Sequence, residues 1–181
     1  GLDMAGGEDF TFGERPMWTL NGAPAPFAPN LAADRDADRM RARAYAAPPG
    51  HRYAAEFLRN WRRAPADADY RIPVERIAAP LLLVSAEDDG LWPSRFGAEC
   101  IVERMERAGG AAIVRHVSLG GCGHAIGMPN EPRPFSNIAW WSDGYAGVQG
   151  GFVDYGGAPD ANAAGAREGW REAVAFLRDV L

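Results

Sequence analysis

The sequence predicts a mixed α/β fold, and three observations carry that expectation. Pro80 to Ser85 is a short continuous apolar run behind a proline, which suits a strand buried on both faces in a parallel sheet. Arg95 to Ala108 is patterned as a helix, with Phe96, Ile101 and Met105 on an inner stripe, and Ala111 to Val117, centred on Ile113-Val114, reads as the next strand. Strand, helix and strand within roughly forty residues form a βαβ unit, so the strands run parallel and the loops beyond them leave the same sheet edge.

The remaining elements follow in chain order. Residues 1–30 are rich in Gly and Pro, with aromatics at no fixed period, and read as irregular chain that packs on something else. Leu31 to Ala46 reads as a largely solvated helix, stopped by Pro48-Pro49-Gly50. A second helix fits His51 to Arg63, where Tyr53, Phe57 and Trp61 share one face. Residues 31–66 therefore read as a short helical lid. Ser94 is placed to cap the helix that starts at Arg95, and Gly109-Gly110 to end it. Residues 127–159 lack periodicity, as lids and binding loops do. A last helix from Asp160 to Leu181 spaces Trp170, Val174, Leu177 and Leu181 to pack on a sheet.

Composition narrows the chemistry. With 181 residues and 47 % hydrophobic content the chain can bury one sizeable core, so 1–181 is read as a single unit. A net charge of −5 argues against nucleic acid or an anionic membrane surface as partner. All nineteen basic residues are arginine, which removes Schiff-base and Ser-Lys chemistry. Two cysteines, Cys100 and Cys122, are too few for a disulfide framework, and a cytoplasmic setting is the simpler expectation. No apolar run approaches a membrane span and no targeting segment is evident.

Two loops carry the reactive side chains. The first, Ser85-Ala86-Glu87-Asp88-Asp89-Gly90-Leu91-Trp92-Pro93-Ser94, follows the first apolar run; the second, Gly120-Gly121-Cys122-Gly123-His124-Ala125, follows the second. Histidine after Gly-Cys-Gly can approach a reacting atom and act as general base when a carboxylate orients its ring. Asp89, three residues past Ala86, is placed to be that carboxylate, with Trp92 as a wall of the substrate site and Asp88 turned away to brace the turn. His51 and His116 read as satisfied structural residues. A metal on Asp88, Asp89 and His124 lacks the paired histidine spacing such sites use, so none is expected. Cys122 and His124 share one tight loop and lack in-line geometry, and no serine lies in a G-x-S-x-G context.

The segments Ile72-Pro73-Val74-Glu75-Arg76-Ile77, Pro80 to Ser94, Gly123-His124-Ala125-Ile126, Gly156-Gly157-Ala158-Pro159-Asp160-Ala161-Asn162-Ala163 and Trp170 resemble the C-terminal catalytic domain of acyl-CoA thioesterases and bile acid-CoA:amino acid N-acyltransferases. Trp18-Thr19-Leu20-Asn21-Gly22 is similar to a segment that follows the nucleophile elbow there. The resemblance implies the C-terminal half of a dienelactone-hydrolase-like α/β-hydrolase sheet, with Asp89 as triad acid, His124 as base, and no cofactor. It implies an acyl-CoA or related ester substrate, handed to water by a thioesterase or to an amino acid by an acyltransferase. The elbow, the oxyanion donors and the first strands of the family precede the matched region. A missing N-terminal half, or a second copy of the chain, would have to cover the open edge. Ala86 stands where the family commonly has glycine. The alternative from another class is a truncated, non-catalytic relative that serves as a binding or assembly subunit.

Overall fold

A computed structural model of the protein describes residues 2–4, 18–27, 50–63, 65, 70–109, 112–126, 138–141 and 151–181. Two parallel strands with a helix on either side form its central unit. They are β4 (Leu81–Ala86) and β5 (Val114–Leu119), paired from Leu81↔Val114 to Ala86↔Leu119. Helix α2 (Ser94–Ala108) joins them as the crossover and contacts both strands, and the long helix α3 (Pro159–Val180) lies against them as well. This is an α/β arrangement.

Alternation along the strands sorts the two faces. Ser85 and His116 point one way, and the Ser85 hydroxyl and the His116 Nε2 share a hydrogen bond of 2.8 Å. Val84, Ala86 and Leu119 point the other way, toward α3, where Gly169 lies close to Val84 and Leu119. Arg115, on that same face, reaches Glu172 of α3 at 2.5 Å. The core on this side gathers Ala86, Leu119 and Cys122, with Val117 and Ile126 against them.

Several boundaries differ from those expected of the sequence, each for a local reason. β5 starts at Val114, and Ile113 is 62 % exposed. The apolar pair Ile113-Val114 marks the entrance of the ladder, where the Ile113 carbonyl accepts the Leu81 N–H, while polar residues of the true strand find partners across the sheet. β4 is not buried on both faces, since Val84 is 37 % exposed. Ser94 does not cap α2. Pro93 occupies the cap position without a side-chain bond, and the Ser94 hydroxyl instead accepts from Ala86 N and donates to Ala86 O, both at 3.2 Å. Gly109 ends α2 in the left-handed conformation, as expected.

Helix α1 (Ala54–Arg63) begins three residues later than the periodicity suggested. His51 is extended and bridges Val153, because its N–H and carbonyl bond to Phe152 and Asp154. Of the segment 31–66 read as a lid, residues 50–63 and 65 are described; the helix expected over Leu31 to Ala46 lies outside the described residues. The first thirty residues are not wholly irregular. Strands β1 (Leu2–Met4), β2 (Trp18–Leu20) and β3 (Ala23–Pro24) form a small antiparallel sheet, turned at Asn21-Gly22 with both residues at positive φ. The stretch 127–159 likewise holds an antiparallel pair, β6 (Ile138–Trp141) and β7 (Gly151–Asp154).

The stripe of α3 expected to face the sheet is largely exposed: Trp170 at 48 %, Leu177 at 51 %, Leu181 fully. Gly165 and Phe176 are its buried residues instead. No described helix is long and apolar enough to cross a membrane.

Close approach explains Gly165. A Cβ there would collide with the Cys122 Sγ and lie 3.3 Å from its Cβ. Gly165→Ala is therefore expected to destabilise by about 1–3 kcal/mol through overpacking, although alanine favours a helix over glycine by about 1 kcal/mol. Adding Cys122→Ala should recover part of the loss. Urea unfolding of the parent, the single and the double variant measures both effects; a Gly165→Ala chain more stable than its parent would exclude the contact.

Candidate active site

Parallel pairing brings the loop after β4 and the loop after β5 to one edge of the sheet. Glu87 N–H donates to Leu119 O and Asp88 N–H to Cys122 O, so the two loops leave the strands already joined. Asp89 then folds back on its own turn. Its Oδ1 accepts the N–H groups of Leu91 and Trp92, both at 2.9 Å, while Oδ2 stands 3.2 Å from the His124 Nδ1. An ionised carboxylate only accepts hydrogen bonds, so Nδ1 carries the proton of this pair, and a neutral ring held this way presents Nε2 as its acceptor.

Burial differs sharply between the partners. The Asp89 side chain is 5 % exposed and the His124 side chain 35 %. The acid is sealed in and the ring stays reachable. Tyr155 flanks that ring, with centroids 5.6 Å apart.

A third segment, Tyr155-Gly156-Gly157, threads between the two loops. The Tyr155 carbonyl accepts from Gly90 N–H at 3.0 Å and from His124 N–H at 2.8 Å. Side chains fix the segment on every side. Asp154 Oδ1 accepts Gly156 N–H at 2.7 Å, and Asp88 Oδ2 accepts Gly157 N–H at 2.9 Å. Asn162 of α3 accepts Gly123 N–H at 2.7 Å and donates to Gly156 O at 3.3 Å. Gly123 and Gly156 leave no space for a side chain. A Cβ on the first would meet the Gly156 carbonyl, and one on the second would meet the Asp88 carbonyl.

Asp88 is turned away from the dyad, as the sequence suggested. Arg52 donates to its Oδ1 at 2.5 Å and to its carbonyl at 2.7 Å. Burial pushes the Asp88 carboxyl up, but the Arg52 hydrogen bond, the Gly157 N–H and the Arg52 charge outweigh it and hold the group below its ordinary value.

Trp92 lies beside the dyad and stacks on Phe57 of α1, centroids 4.4 Å apart. Together with Ala54, Leu58, Phe96 and Asp89 it lines a groove of about 300 Å³. Arg62 closes over Phe96 at 5.5 Å, as a cation over an aromatic face.

Four candidate nucleophiles among the described residues are otherwise engaged. Cys122 is 2 % exposed, its thiol points at the Ala161 carbonyl 3.0 Å away, and burial pushes its pKa up. Ser85 is 1 % exposed and held by His116. Ser94 and Ser118 bond to Ala86 and Glu87. Ser136 and Ser142 lie outside the described residues. Among the described residues no group of three His, Cys, Asp or Glu is arranged to hold a metal ion.

Sequence reasoning picked out Gly156-Gly157 and Asn162 only through the family resemblance and missed what they touch. Arg52, Asp154 and Tyr155 are distant in the chain from both loops and belong to no motif singled out there. A usable signal was the Gly156-Gly157 doublet just ahead of a helix, where tight backbone approach is the ordinary reason for paired glycines.

Comparison with known proteins places the chain in a family. Acyl-coenzyme A amino acid N-acyltransferase 2 of Mus musculus is 29 % identical over 127 residues, which are 70 % of this chain and 27 % of the relative. The enzyme of the same name from Rattus norvegicus is 32 % identical over 110 residues, 61 % of this chain and 24 % of the relative. Acyl-coenzyme A amino acid N-acyltransferase 1 of Mus musculus is 31 % identical over 107 residues, 59 % and 24 % of the two chains. The matched part thus spans about a quarter of the length of these curated relatives. With residues 37–181 matching the description "BAAT / Acyl-CoA thioester hydrolase C terminal", the chain belongs to that family.

Proposed function

We propose that this chain supplies the acid and base of a triad that cleaves acyl-CoA thioesters through an acyl-enzyme, as the C-terminal part of an α/β-hydrolase sheet. The observation that carries the reading is the Asp89–His124 pair itself. One carboxylate oxygen is locked by two main-chain N–H groups and the other faces Nδ1 of a half-exposed imidazole.

In this reading the nucleophile comes from outside the 181 residues, from an N-terminal hydrolase segment or another chain. Nε2 of His124 takes the nucleophile's proton as it adds to the thioester carbonyl. Asp89 stabilises the imidazolium that forms. The C–S bond breaks, the departing thiolate takes the proton from Nε2, and an acyl-enzyme remains. Water or an amine then attacks the acyl carbon, Nε2 accepts its proton and returns it to the nucleophile. Water makes the protein a thioesterase. The names of the relatives favour an amino acid acceptor as the second reading. The apolar groove beside Trp92 would hold part of the substrate, and the free state of Cys100 and Cys122 suits a reducing, cytoplasmic setting.

The test is release of CoA thiol from a medium-chain acyl-CoA, by the chain alone and together with any polypeptide encoded immediately upstream. His124→Ala is expected to abolish turnover, and Asp89→Asn to lower it on the order of 10⁴-fold by allowing the wrong tautomer. Turnover indifferent to both substitutions would sink the assignment. No turnover in either folded preparation would favour a non-catalytic binding subunit. Trp92→Ala is expected to raise KM about tenfold, roughly 1.4 kcal/mol of lost apolar contact, while kcat changes little; an unchanged KM removes Trp92 from the substrate site.

A further inference from the structure

We propose that Asp88, clamped by Arg52, is a positioning residue that sets the tautomer and orientation of His124 from outside the dyad. The inference rests on reading Asp89 and His124 as acid and base.

His124 is held in place through its main chain. Its N–H bonds to the Tyr155 carbonyl, which also takes Gly90 N–H from the acid loop, so beyond the Asp88 N–H to Cys122 O bond the approach of Asp89 to His124 depends on the position of that oxygen. That oxygen belongs to a short segment without regular structure. Its stiffness comes from a ring of contacts. Arg52 grips Asp88 at 2.5 Å; Asp88 accepts Gly157 N–H at 2.9 Å; the chain runs back through Gly156, whose N–H bonds to Asp154 at 2.7 Å; and Asp154 lies 4.0 Å from Arg52 again. Tyr155 is the residue this ring encloses.

Both glycines of the ring sit at positive φ, 75° and 71°, a conformation they do not hold by side-chain packing of their own. Asp88 is the group that reaches the second of them. The Asp89–His124 separation of 3.2 Å is at the long end of a useful hydrogen bond, so a shift of a few tenths of an ångström in the Tyr155 carbonyl is enough to release Nδ1. A histidine side chain in water favours its proton on Nε2, and loss of the Asp89 bond lets that tautomer return, which removes the base. Arg52 stands two residues ahead of α1, and Ala54 N–H donates to Gly90 O. The start of that helix is therefore tied to the same ring.

Nitrogen-15 NMR of the His124 imidazole at about pH 8, above the ordinary histidine range, tests this without turnover. The parent chain is expected to show Nδ1–H. Asp88→Ala should lose at least half of that population to Nε2–H, with the circular dichroism of the fold unchanged. Asp88→Asn keeps an acceptor for Gly157 N–H and should restore it in part. Arg52→Gln should fall between, and it decides the matter if Asp88→Ala does not fold, because Arg52 is half-exposed and leaves the Asp88–Gly157 bond in place. A tautomer ratio unmoved by Arg52→Gln and by every folded Asp88 variant would overturn the proposal. A parent His124 without Nδ1–H would instead overturn the acid–base reading beneath it.

Discussion

The sheet edge depends on one main-chain oxygen, the Tyr155 carbonyl, shared between the N–H groups of Gly90 and His124. A carbonyl has two lone pairs and can serve two donors at once. Here the donors come from two loops 34 residues apart in the chain that the β4–β5 ladder brings to the same edge. The ladder alone does not fix their side chains. It sets where the strands end, and the Tyr155 carbonyl, together with the Asp88 N–H to Cys122 O bond, sets how far the loops beyond them stand from each other. The requirement reaches down to composition. Gly90, Gly123, Gly156 and Gly157 meet where three backbones approach too closely for any Cβ. Side chains that act on this site must do so from the rim, and Asp88, Asp154 and Asn162 do so through N–H groups of the glycine segment or its neighbours.

The division of labour between the two aspartates follows from the same geometry. Asp89 spends one oxygen on its own turn, which restricts rotation of the carboxylate and leaves the second oxygen for a single partner. Asp88 has an arginine on one oxygen and a main-chain N–H on the other. Those two partners hold both oxygens toward Arg52 and Gly157. Two adjacent acids of identical chemistry are thus separated by where their neighbours are, and neither can take over from the other.

What the sequence made legible was whatever depends on short range. The βαβ unit, the edge that carries both loops, and the pairing of Asp89 with His124 all follow from an apolar run, a turn and a helix in succession. Ile113 shows where that logic slips: an exposed apolar residue beside the strand drew the expected strand three residues too early, and it ended at Val117, two residues short, although the observed strand carries both His116 and Ser118. Their polarity is answered by Ser85 and Glu87 on the neighbouring chain segment, which no window along the sequence contains. Ser94 slipped for a related reason, since a strand end that needed hydrogen bonds competed for the hydroxyl and won. The contacts of the third segment stayed hidden because its partners are Arg52, Asp88 and Asn162, and tertiary contacts of that range leave no periodicity.

If the chain acts as proposed, the acceptor is the open chemical choice, and the dyad has little power to make it. Nε2 would take a proton from water or from an amine in the same position, and Asp89 would stabilise the same imidazolium in both cases. Selection between them falls to what surrounds the acyl carbon, because an amine competes with a far more abundant water only if its site is dry and oriented. The surfaces available for that work are Trp92 stacked on Phe57, and the groove that α1 forms with the start of α2. The start of α1 is joined by Arg52 and Ala54 to the loops that carry the dyad. A substrate that displaced α1 would therefore strain the ring around Tyr155, and one that seated it would hold that ring closed. On the proposed reading, acceptor choice and the geometry of His124 would be coupled through the same few hydrogen bonds, and for that reason substitutions in the groove belong in the same experiments as substitutions at Asp88.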